Sequence, residues 1–294
     1  MLAGRLGLET ARIPHADRHG LLWLGRGNLV VEAGTLHFLS AGSQEFPPGD
    51  YPIPFQGISL LLLGPGTTIS HDALRVLARH GTGMVAVGED GVRLYSAPPL
   101  GPGESALARQ HALAWAAGSK ERIAIARRLY AWRLGEILPL KQDIAILRGM
   151  EGARMKETYK LLAQRYGVVW HGRRYDRHNP DATDDPNQAI NHAATAVEAA
   201  ATIAVAATGT IPSLGFIHED SSNAFCLDVA DLYRDSVTLP AAFQGVRDHQ
   251  SQPHMTLERH VRRQCGRLFR REAVIATMID RIKSLFGEEK EEVP

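Results

Sequence analysis

The chain has 294 residues, a length that fits one large or two ordinary domains. Hydrophobic residues make up 44% and charged residues 22% of it, close to the averages for folded soluble proteins, which excludes extensive disorder, a collagen-like repeat and a coiled-coil rod. The formal net charge is +1, so the charge of the whole chain indicates no particular partner.

The first hundred residues consist of short apolar runs separated by glycine and proline, a pattern typical of β-strands. Two hairpins are predicted, at residues 29–39 and 84–96, and one buried strand is predicted at residues 58–63. Asp90-Gly91 supports the second hairpin because it supplies the positive φ angles of a tight turn. Residues 72–80 predict a helix with Ser70 as its N-cap. We expect a small β-sandwich domain over residues 1–97.

Residues 98–104 are rich in proline and glycine and predict a linker. Beyond the linker, apolar residues recur at helical spacing in six segments: residues 105–117, 119–134, 140–166, 190–208, 225–233 and 256–286. We therefore predict an all-helical domain over residues 105–294 and an α+β fold class. The alanine-rich segment 190–208 is expected at the centre, because small side chains let helices approach closely, and Gly209 is expected to end it.

Residues 176–188 predict a polar loop, whose aspartates suggest calcium but lack the spacing of a calcium loop, which favours a solvated loop. The final residues, 287–294, predict a frayed acidic tail. Cys226 and Cys265 are the only cysteines and form no zinc motif, so a reducing cytoplasm is expected. No segment is typical of a secretion signal or a membrane span, so neither secretion nor membrane insertion is expected.

Positive charge is concentrated in two regions. Residues 120–178 contain 14 Lys/Arg and 6 Asp/Glu, and residues 259–271 contain six arginines and no acid. Such helices suit a phosphate backbone, because each neutralised phosphate releases counterions. The alternative is that the arginines form only the solvated face of an amphipathic helix. Repulsion among six unpaired charges favours anion binding, with nucleic acid as the leading anion.

One carboxylate is predicted on the apolar side of a helix. In residues 140–166 the apolar row includes Leu147 and Met155, and Glu151 falls between them. Burying a lone carboxylate is unfavourable by several kcal/mol unless a cation holds it, so Glu151 either pairs with an arginine or ligates a metal. Arg148 and Arg154 could supply a purely structural ion pair, and spacing alone leaves both alternatives open.

A second group of metal-ligand type follows later in the chain. Asp228 and Asp231 are three residues apart on a short predicted helix and therefore share one face, and His218 precedes them in a loop. One imidazole with several carboxylates suits Mg²⁺ or Mn²⁺ better than structural zinc. The alternatives are ion pairs of the aspartates with Arg234 or Arg247 and a hydrogen-bonded buried histidine. Serine-hydrolase elbows, P-loops and dinucleotide-binding motifs are absent from the sequence.

Three runs together resemble a known family: LRGMEGARMKETYKLLAQRYGV at 147–168, WHGRRYD at 170–176 and GFIHEDSSNAFCLDVADLYR at 215–234. The sequence resembles the CRISPR-associated integrase of spacer acquisition in antiviral defence, in its subtype I-E branch, along nearly the whole chain. The resemblance implies a metal-dependent DNA endonuclease and integrase. It also implies a homodimer, a small ferredoxin-like partner subunit, and DNA in the form of a prespacer duplex and the CRISPR repeat.

The resemblance implies that Glu151, His218 and Asp231 are the catalytic metal ligands, with Asp228 beside them as a further candidate. It also implies that Arg93 and Arg234 contact DNA, and the basic helix adds Arg262 and Arg263. Glu219 and Asp220 depart from the family pattern, in which small or basic residues often follow the histidine. These two acids could add a ligand or weaken the approach of DNA.

The implied reaction is transesterification, in which a 3′-hydroxyl of a short DNA attacks a phosphodiester of the repeat while Mg²⁺ or Mn²⁺ assists. A non-catalytic DNA-binding scaffold is the rival from another class, with the acids as structural ion pairs. A stand-alone DNA repair nuclease is the third alternative.

Overall fold

The structure is a computed structural model that describes residues 20–43, 46–96, 105–135, 144–174 and 184–286. The N-terminal part contains β1 (Leu21–Leu24), β2 (Gly27–Glu32), β3 (Thr35–Ser40), β4 (Gly49–Pro52), β5 (Leu60–Leu63), β6 (Thr67–Ile69), α1 (His71–His80), β7 (Gly83–Val87) and β8 (Leu94–Ser96). The C-terminal part contains α2 (Ala106–Ala116), α3 (Ser119–Leu134), α4 (Ile144–Tyr166), α5 (Asp185–Thr208), α6 (Ala224–Asp231), α7 (Leu239–Ser251), α8 (Leu257–Arg271) and α9 (Val274–Phe286). The α+β fold class is confirmed.

The N-terminal strands form two four-stranded sheets, ordered β1-β5-β7-β8 and β4-β3-β2-β6. Both predicted hairpins are confirmed: β2 pairs antiparallel with β3, and β7 with β8. Asp90 and Gly91 have φ angles of 59° and 72°, as the turn requires. Helix α1 begins as predicted, with the Ser70 hydroxyl accepting the N–H of Ala73. The parallel pairing of β1, β5 and β7 was not predicted, because the hairpin pattern relates only strands adjacent in sequence.

Strand β5 is buried on both faces. Leu61 packs with α1 and the second sheet, whereas Leu60 and Leu62 belong to the core of the helical part. This division follows from the two-residue period of a strand, which sends successive side chains to opposite faces. The first sheet therefore lies between two hydrophobic cores and connects them.

Helix α5 lies at the centre of the helical part, as predicted, and packs against α6, α7, α8 and α9. Its alanines are largely buried, and it ends at Gly209, whose φ of 69° is the left-handed conformation that stops a helix. By length and apolarity α5 could cross a bilayer, but most of the qualifying stretch is buried inside the protein. That burial is typical of the core helix of a soluble protein.

Several predicted boundaries were wrong. The segment 256–286 is two helices rather than one, because Ala273 adopts a φ of 47° between α8 and α9. Helix α7 was missed, and α5 begins at Asp185, inside the segment predicted as a loop. Asp184 explains the early start, because its carboxylate caps the N–H of Asn187.

Three predicted segments lie wholly or partly outside the described residues: the linker 98–104, residues 176–183 of the predicted polar loop 176–188, and the acidic tail 287–294. The domain boundary at 98–104 therefore stays a prediction.

The β7–β8 turn of the N-terminal part packs directly against α8. Asp90 forms an ion pair with Arg270, and a Cβ added to Gly266 would collide with Asp90. Nearby, Arg93 forms an ion pair with Glu258 at the start of α8. Any larger residue at position 266 would require the Asp90 side chain to shift, because that side chain lies directly against the helix there.

Candidate active site

Helix α4 carries Glu151 on its inner face, in the row of apolar residues that the helical spacing of the sequence predicted. Leu147 and Met155, one turn before and after it, are buried, and the side chain of Glu151 is 21% exposed. The carboxylate contacts a cation from a different helix, with its Oε1 2.6 Å from Nη2 of Arg133 on α3. Arg148 and Arg154, the partners considered from spacing, donate to the carbonyls of Ile217 and Leu134.

Asp228, on α6, holds the loop that carries His218. Its Oδ2 accepts the backbone N–H groups of Phe216 and Ile217 at 2.6 and 3.2 Å, and its Oδ1 accepts that of His218 at 2.9 Å. Gly215 is required in this tight loop, because a Cβ there would collide with the carbonyl of His218. Asp228 is 1% exposed, so its carboxylate is committed to these donors and lies behind the imidazole.

The same carboxylate fixes the imidazole of His218. Nδ1 lies 2.8 Å from Oδ1 of Asp228, and since a carboxylate can only accept, the ring proton is on Nδ1. In the neutral ring Nε2 therefore carries the lone pair, and it lies 3.7 Å from Oδ2 of Asp231. A carboxylate behind a histidine is the arrangement that orients a metal-ligating imidazole.

Asp231 lies between two arginines. Its Oδ2 is 2.9 Å from Nη1 of Arg133, and its Oδ1 is 3.3 Å from Nη1 of Arg234. Arg234 also donates to the hydroxyl of Tyr159 at 3.0 Å. Arg133 thus contacts both Glu151 and Asp231 and lies between them.

The surroundings change the protonation of two of these groups. Burial raises the pKa of the Glu151 carboxyl above its usual range, and the guanidinium of Arg133 opposes that rise. The hydrogen bond to Asp228 raises the pKa of His218, while burial partly offsets it. Perturbed groups that face one another in this way are typical of functional sites.

Helix α2 braces the segment that leads into the loop. His111 is fully buried, its Nε2 donates to the carbonyl of Leu214 at 2.7 Å, and its Nδ1 accepts the N–H of Ile211 at 3.2 Å. Burial lowers the pKa of His111 to about 4, so the ring is neutral. Trp115 adds a hydrogen bond from Nε1 to the carbonyl of Gly215.

The two acids that follow His218 are both exposed and are distinct from the triad, the name used here for Glu151, His218 and Asp231. Glu219 forms an ion pair with Arg122 of α3, and Asp220 is exposed. The expectation that these acids could add a ligand finds no support in these contacts. Cys226 is buried in α6, and burial raises the pKa of its thiol to about 11, which fits a packing role.

The four arginines predicted to contact DNA differ in their intramolecular partners and in their exposure. Arg93 pairs with Glu258, and Nε of Arg262 lies 3.9 Å from the same carboxylate. Arg263 is exposed, with Nη1 3.9 Å from the sulfur of Met255. Arg234 contacts the triad through Asp231. The six-arginine segment is therefore partly engaged in intramolecular ion pairs.

Arg133 was missed by the sequence reasoning. A buried carboxylate requires a cation, and that requirement was the one available signal. Only neighbours on the same helix could be considered from spacing, whereas Arg133 reaches Glu151 from the C-terminal turn of α3.

A separate group of metal-ligand type lies on the outer face of the β4-β3-β2 layer. Within the described part of the chain, Glu32, His37 and Asp50 are the group whose ligand atoms all lie within 4.8 Å of one another. Exposed groups of this kind are common in proteins without a bound ion. The site around Glu151 has partial burial and a fixed imidazole, which preorganise its donors, but Arg133 lies between its carboxylates.

The donor set around Glu151 suits a divalent cation. Two carboxylates and one imidazole nitrogen with a free lone pair are ligands for Mg²⁺ or Mn²⁺. The carboxylates already share one cation, the guanidinium of Arg133, so a positive charge fits between them.

Comparison with known proteins identifies close relatives. A profile of the family described as CRISPR associated protein Cas1 matches residues 133–262, which include the triad. CRISPR-associated endonuclease Cas1 of Escherichia coli (strain K12) is 33% identical over 276 residues, 94% of this chain and 87% of that protein. CRISPR-associated endonuclease Cas1 3 of Methanospirillum hungatei JF-1 is 34% identical over 274 residues, 93% of this chain and 88% of that protein.

Solved structures share the fold. The chain in a crystal structure of a TtCas1–DNA complex matches with a TM-score of 0.80 and 33% identity, covering 93% of this chain and 98% of that one. A casposase bound to an integration product matches with a TM-score of 0.62 and 15% identity, covering 93% and 97%. At that identity, the second likeness concerns the fold alone.

Proposed function

The chain belongs to the CRISPR-associated Cas1 family, and we propose that it is a divalent-metal-dependent DNA endonuclease and integrase that inserts new spacers into a CRISPR array. The identity to the Escherichia coli relative is consistent with the subtype I-E branch. One observation carries the proposal: Arg133 joins the carboxylates of Glu151 and Asp231, Nε2 of His218 lies 3.7 Å from Asp231, and Asp228 fixes the imidazole there.

In the proposed reaction, a 3′-hydroxyl attacks a phosphodiester, one phosphorus–oxygen bond forms, and the bond to the displaced strand breaks. The attacking hydroxyl loses a proton and the displaced oxygen takes one up, and because one bond forms as another breaks, the number of phosphodiester bonds is unchanged. Hydrolysis differs only in having water as the nucleophile. A Mg²⁺ or Mn²⁺ ion held by Glu151, His218 and Asp231 would supply Lewis-acid stabilisation of charge on the phosphoryl oxygens.

The protein's own residues orient the proposed metal ligand His218 and supply positive charge for the DNA backbone. Asp228 holds His218 in the tautomer whose Nε2 can ligate, and Trp115 and His111 hold the loop in place. Arg234 is held against Asp231 by Tyr159, where its positive charge would attract a phosphodiester. Reacting groups fixed in advance need no reorganisation during the reaction.

We place the protein in the cytoplasm as a homodimer that assembles with a small ferredoxin-like subunit and binds a prespacer duplex and the repeat. The DNA complex of the structural relative supports the nucleic-acid part of this proposal. Two buried free cysteines are compatible with a reducing compartment.

Strand transfer tests the proposal against the non-catalytic scaffold. The protein with its partner subunit is incubated with a short duplex and a supercoiled plasmid bearing the repeat, in Mn²⁺ or in excess chelator. Joined product in Mn²⁺ that disappears in chelator, with DNA binding retained, supports the enzyme. Binding without joining under both conditions supports the scaffold. In a parallel reaction without the partner subunit, DNA cleavage supports a repair nuclease.

Changing Arg262 and Arg263 together to alanine is expected to weaken DNA binding nearly equally for all sequences. If both contact phosphates, the slope of log affinity against log salt falls by about one to two units, at ~0.9 per contact. Fluorescence titrations at several salt concentrations measure it. The double lysine variant is the matched control and keeps most of the slope, because it preserves both charges. An unchanged slope in the alanine variant would remove α8 from the DNA-binding surface.

A further inference from the structure

Arg133 is the most deeply buried cation among the ion pairs of the site. Its side chain is 6% exposed, and each of its two terminal nitrogens contacts a different carboxylate. The contact of Nη2 with Glu151 has the distance of an ion pair without the alignment of a hydrogen bond, and among the described residues this nitrogen has no hydrogen-bond partner. Arg133 is therefore held there chiefly by charge.

The oxygens that Arg133 contacts are those that a metal ion would need. Oδ2 of Asp231 contacts Arg133 and is also the oxygen nearest Nε2 of His218. A divalent ion bound between Glu151, Asp231 and His218 would occupy the space between the same carboxylates. Two cations held against the same oxygens repel each other strongly in a partly buried site.

The carboxylates need a cation when no metal is bound. Both carboxylates contact the same guanidinium and are only 21% and 25% exposed, so without a cation between them their negative charges would repel in a partly buried site. A guanidinium suits the role, because it stays charged at all relevant pH values, is weakly hydrated, and reaches two carboxylates at once.

We propose that Arg133 is a resident counter-ion that keeps the site assembled without metal and competes with the divalent ion for Glu151 and Asp231. This inference rests on the proposed function, because it takes the triad to be the metal site. Metal binding then includes displacement of the guanidinium from the carboxylates, and the measured affinity is weaker than the ligands alone would give.

The test combines Mn²⁺ affinity with thermal stability. Arg133→Met keeps the length of the side chain and removes its charge, and Arg133→Lys keeps a charge that can reach one carboxylate at a time. Free Mn²⁺ is measured by electron paramagnetic resonance during titration of the full-length protein, and melting is followed in chelator and in Mn²⁺. Arg122→Met is the matched control: the same substitution on α3, at an arginine that pairs with Glu219 outside the triad.

Arg133→Met is expected to bind Mn²⁺ at least about ten times more tightly than the unmodified protein. The Mn²⁺ affinity of Arg133→Lys is expected to lie between those of the other two proteins. In chelator, Arg133→Met melts at a lower temperature, and Mn²⁺ raises its melting temperature by more than that of the unmodified protein. If Arg133 only held the site together, its loss would weaken Mn²⁺ binding. An increase in Mn²⁺ affinity therefore supports the counter-ion role, and a decrease contradicts it. If Arg133→Met does not fold in chelator, the lysine variant decides by the same sign.

Equal or weaker Mn²⁺ binding in folded Arg133 variants, with the unmodified protein binding normally, would overturn the counter-ion role and leave the proposed function intact. Absence of Mn²⁺ binding to every protein, including the unmodified one, would overturn both.

Discussion

Glu151→Gln, His218→Ala and Asp231→Ala are each expected to lower the rate of strand transfer by about a thousandfold or more while the chain stays folded. Each variant removes one proposed metal ligand, and a loss of about 4 kcal/mol of transition-state stabilisation corresponds to that factor. None of the three removes much packing, because all three side chains are partly exposed. Gel assays of joined product measure the rate, and circular dichroism measures the fold.

Glu157→Gln is the matched control for this set. Glu157 is exposed on the same helix as Glu151 and pairs with Lys160, so its removal is expected to leave strand transfer within about twofold. Strand transfer at the unmodified rate in the three ligand variants would refute the triad. A comparable loss in the control would indicate a general effect of charge on α4.

Asp228→Ala is expected to lower the free energy of unfolding by about 3 to 5 kcal/mol, the typical result of breaking a buried charged network. The substitution leaves three backbone N–H groups without their acceptor, and His218 loses the partner of its Nδ1. In the remaining folded protein, strand transfer falls by about 10- to 100-fold, because the imidazole is no longer oriented. Urea denaturation and the strand-transfer assay measure the two effects.

Asp228→Asn separates the two roles, because an amide oxygen still accepts hydrogen bonds but carries no charge. We expect an intermediate loss of stability. Asp220→Ala, in the exposed part of the same loop, is expected to leave stability within about 0.5 kcal/mol. If Asp228→Ala were as stable as the unmodified protein, the loop would have to be held by other contacts.

Local signals in the sequence predicted much of the fold. The Asp90-Gly91 turn, the Ser70 cap and the Gly209 stop each depend on the conformation or side chain of one or two residues, and the structure has all three. The row through Glu151 depends only on the helical period. Such features are visible in one sequence because they require no knowledge of distant neighbours.

Features that depend on distant neighbours could not be predicted. The parallel order β1-β5-β7 and the contact of Arg133 with Glu151 join segments that no spacing relates. The break at Ala273 was missed because alanine is an excellent helix former, and its φ of 47° is unusual for a residue with a Cβ. The resemblance indicated Asp228 beside the ligands, but its burial behind His218 follows only from the folded loop.

The two-sided burial of the first sheet has a thermodynamic consequence. Leu60, Leu62, Val85 and Val87 belong to the hydrophobic core of the helical part although they precede the predicted linker. Exposing four such side chains would cost roughly 6 to 12 kcal/mol, which is comparable to the whole stability of a typical domain. Separating the two parts is therefore strongly unfavourable, and the chain is expected to unfold as one cooperative unit.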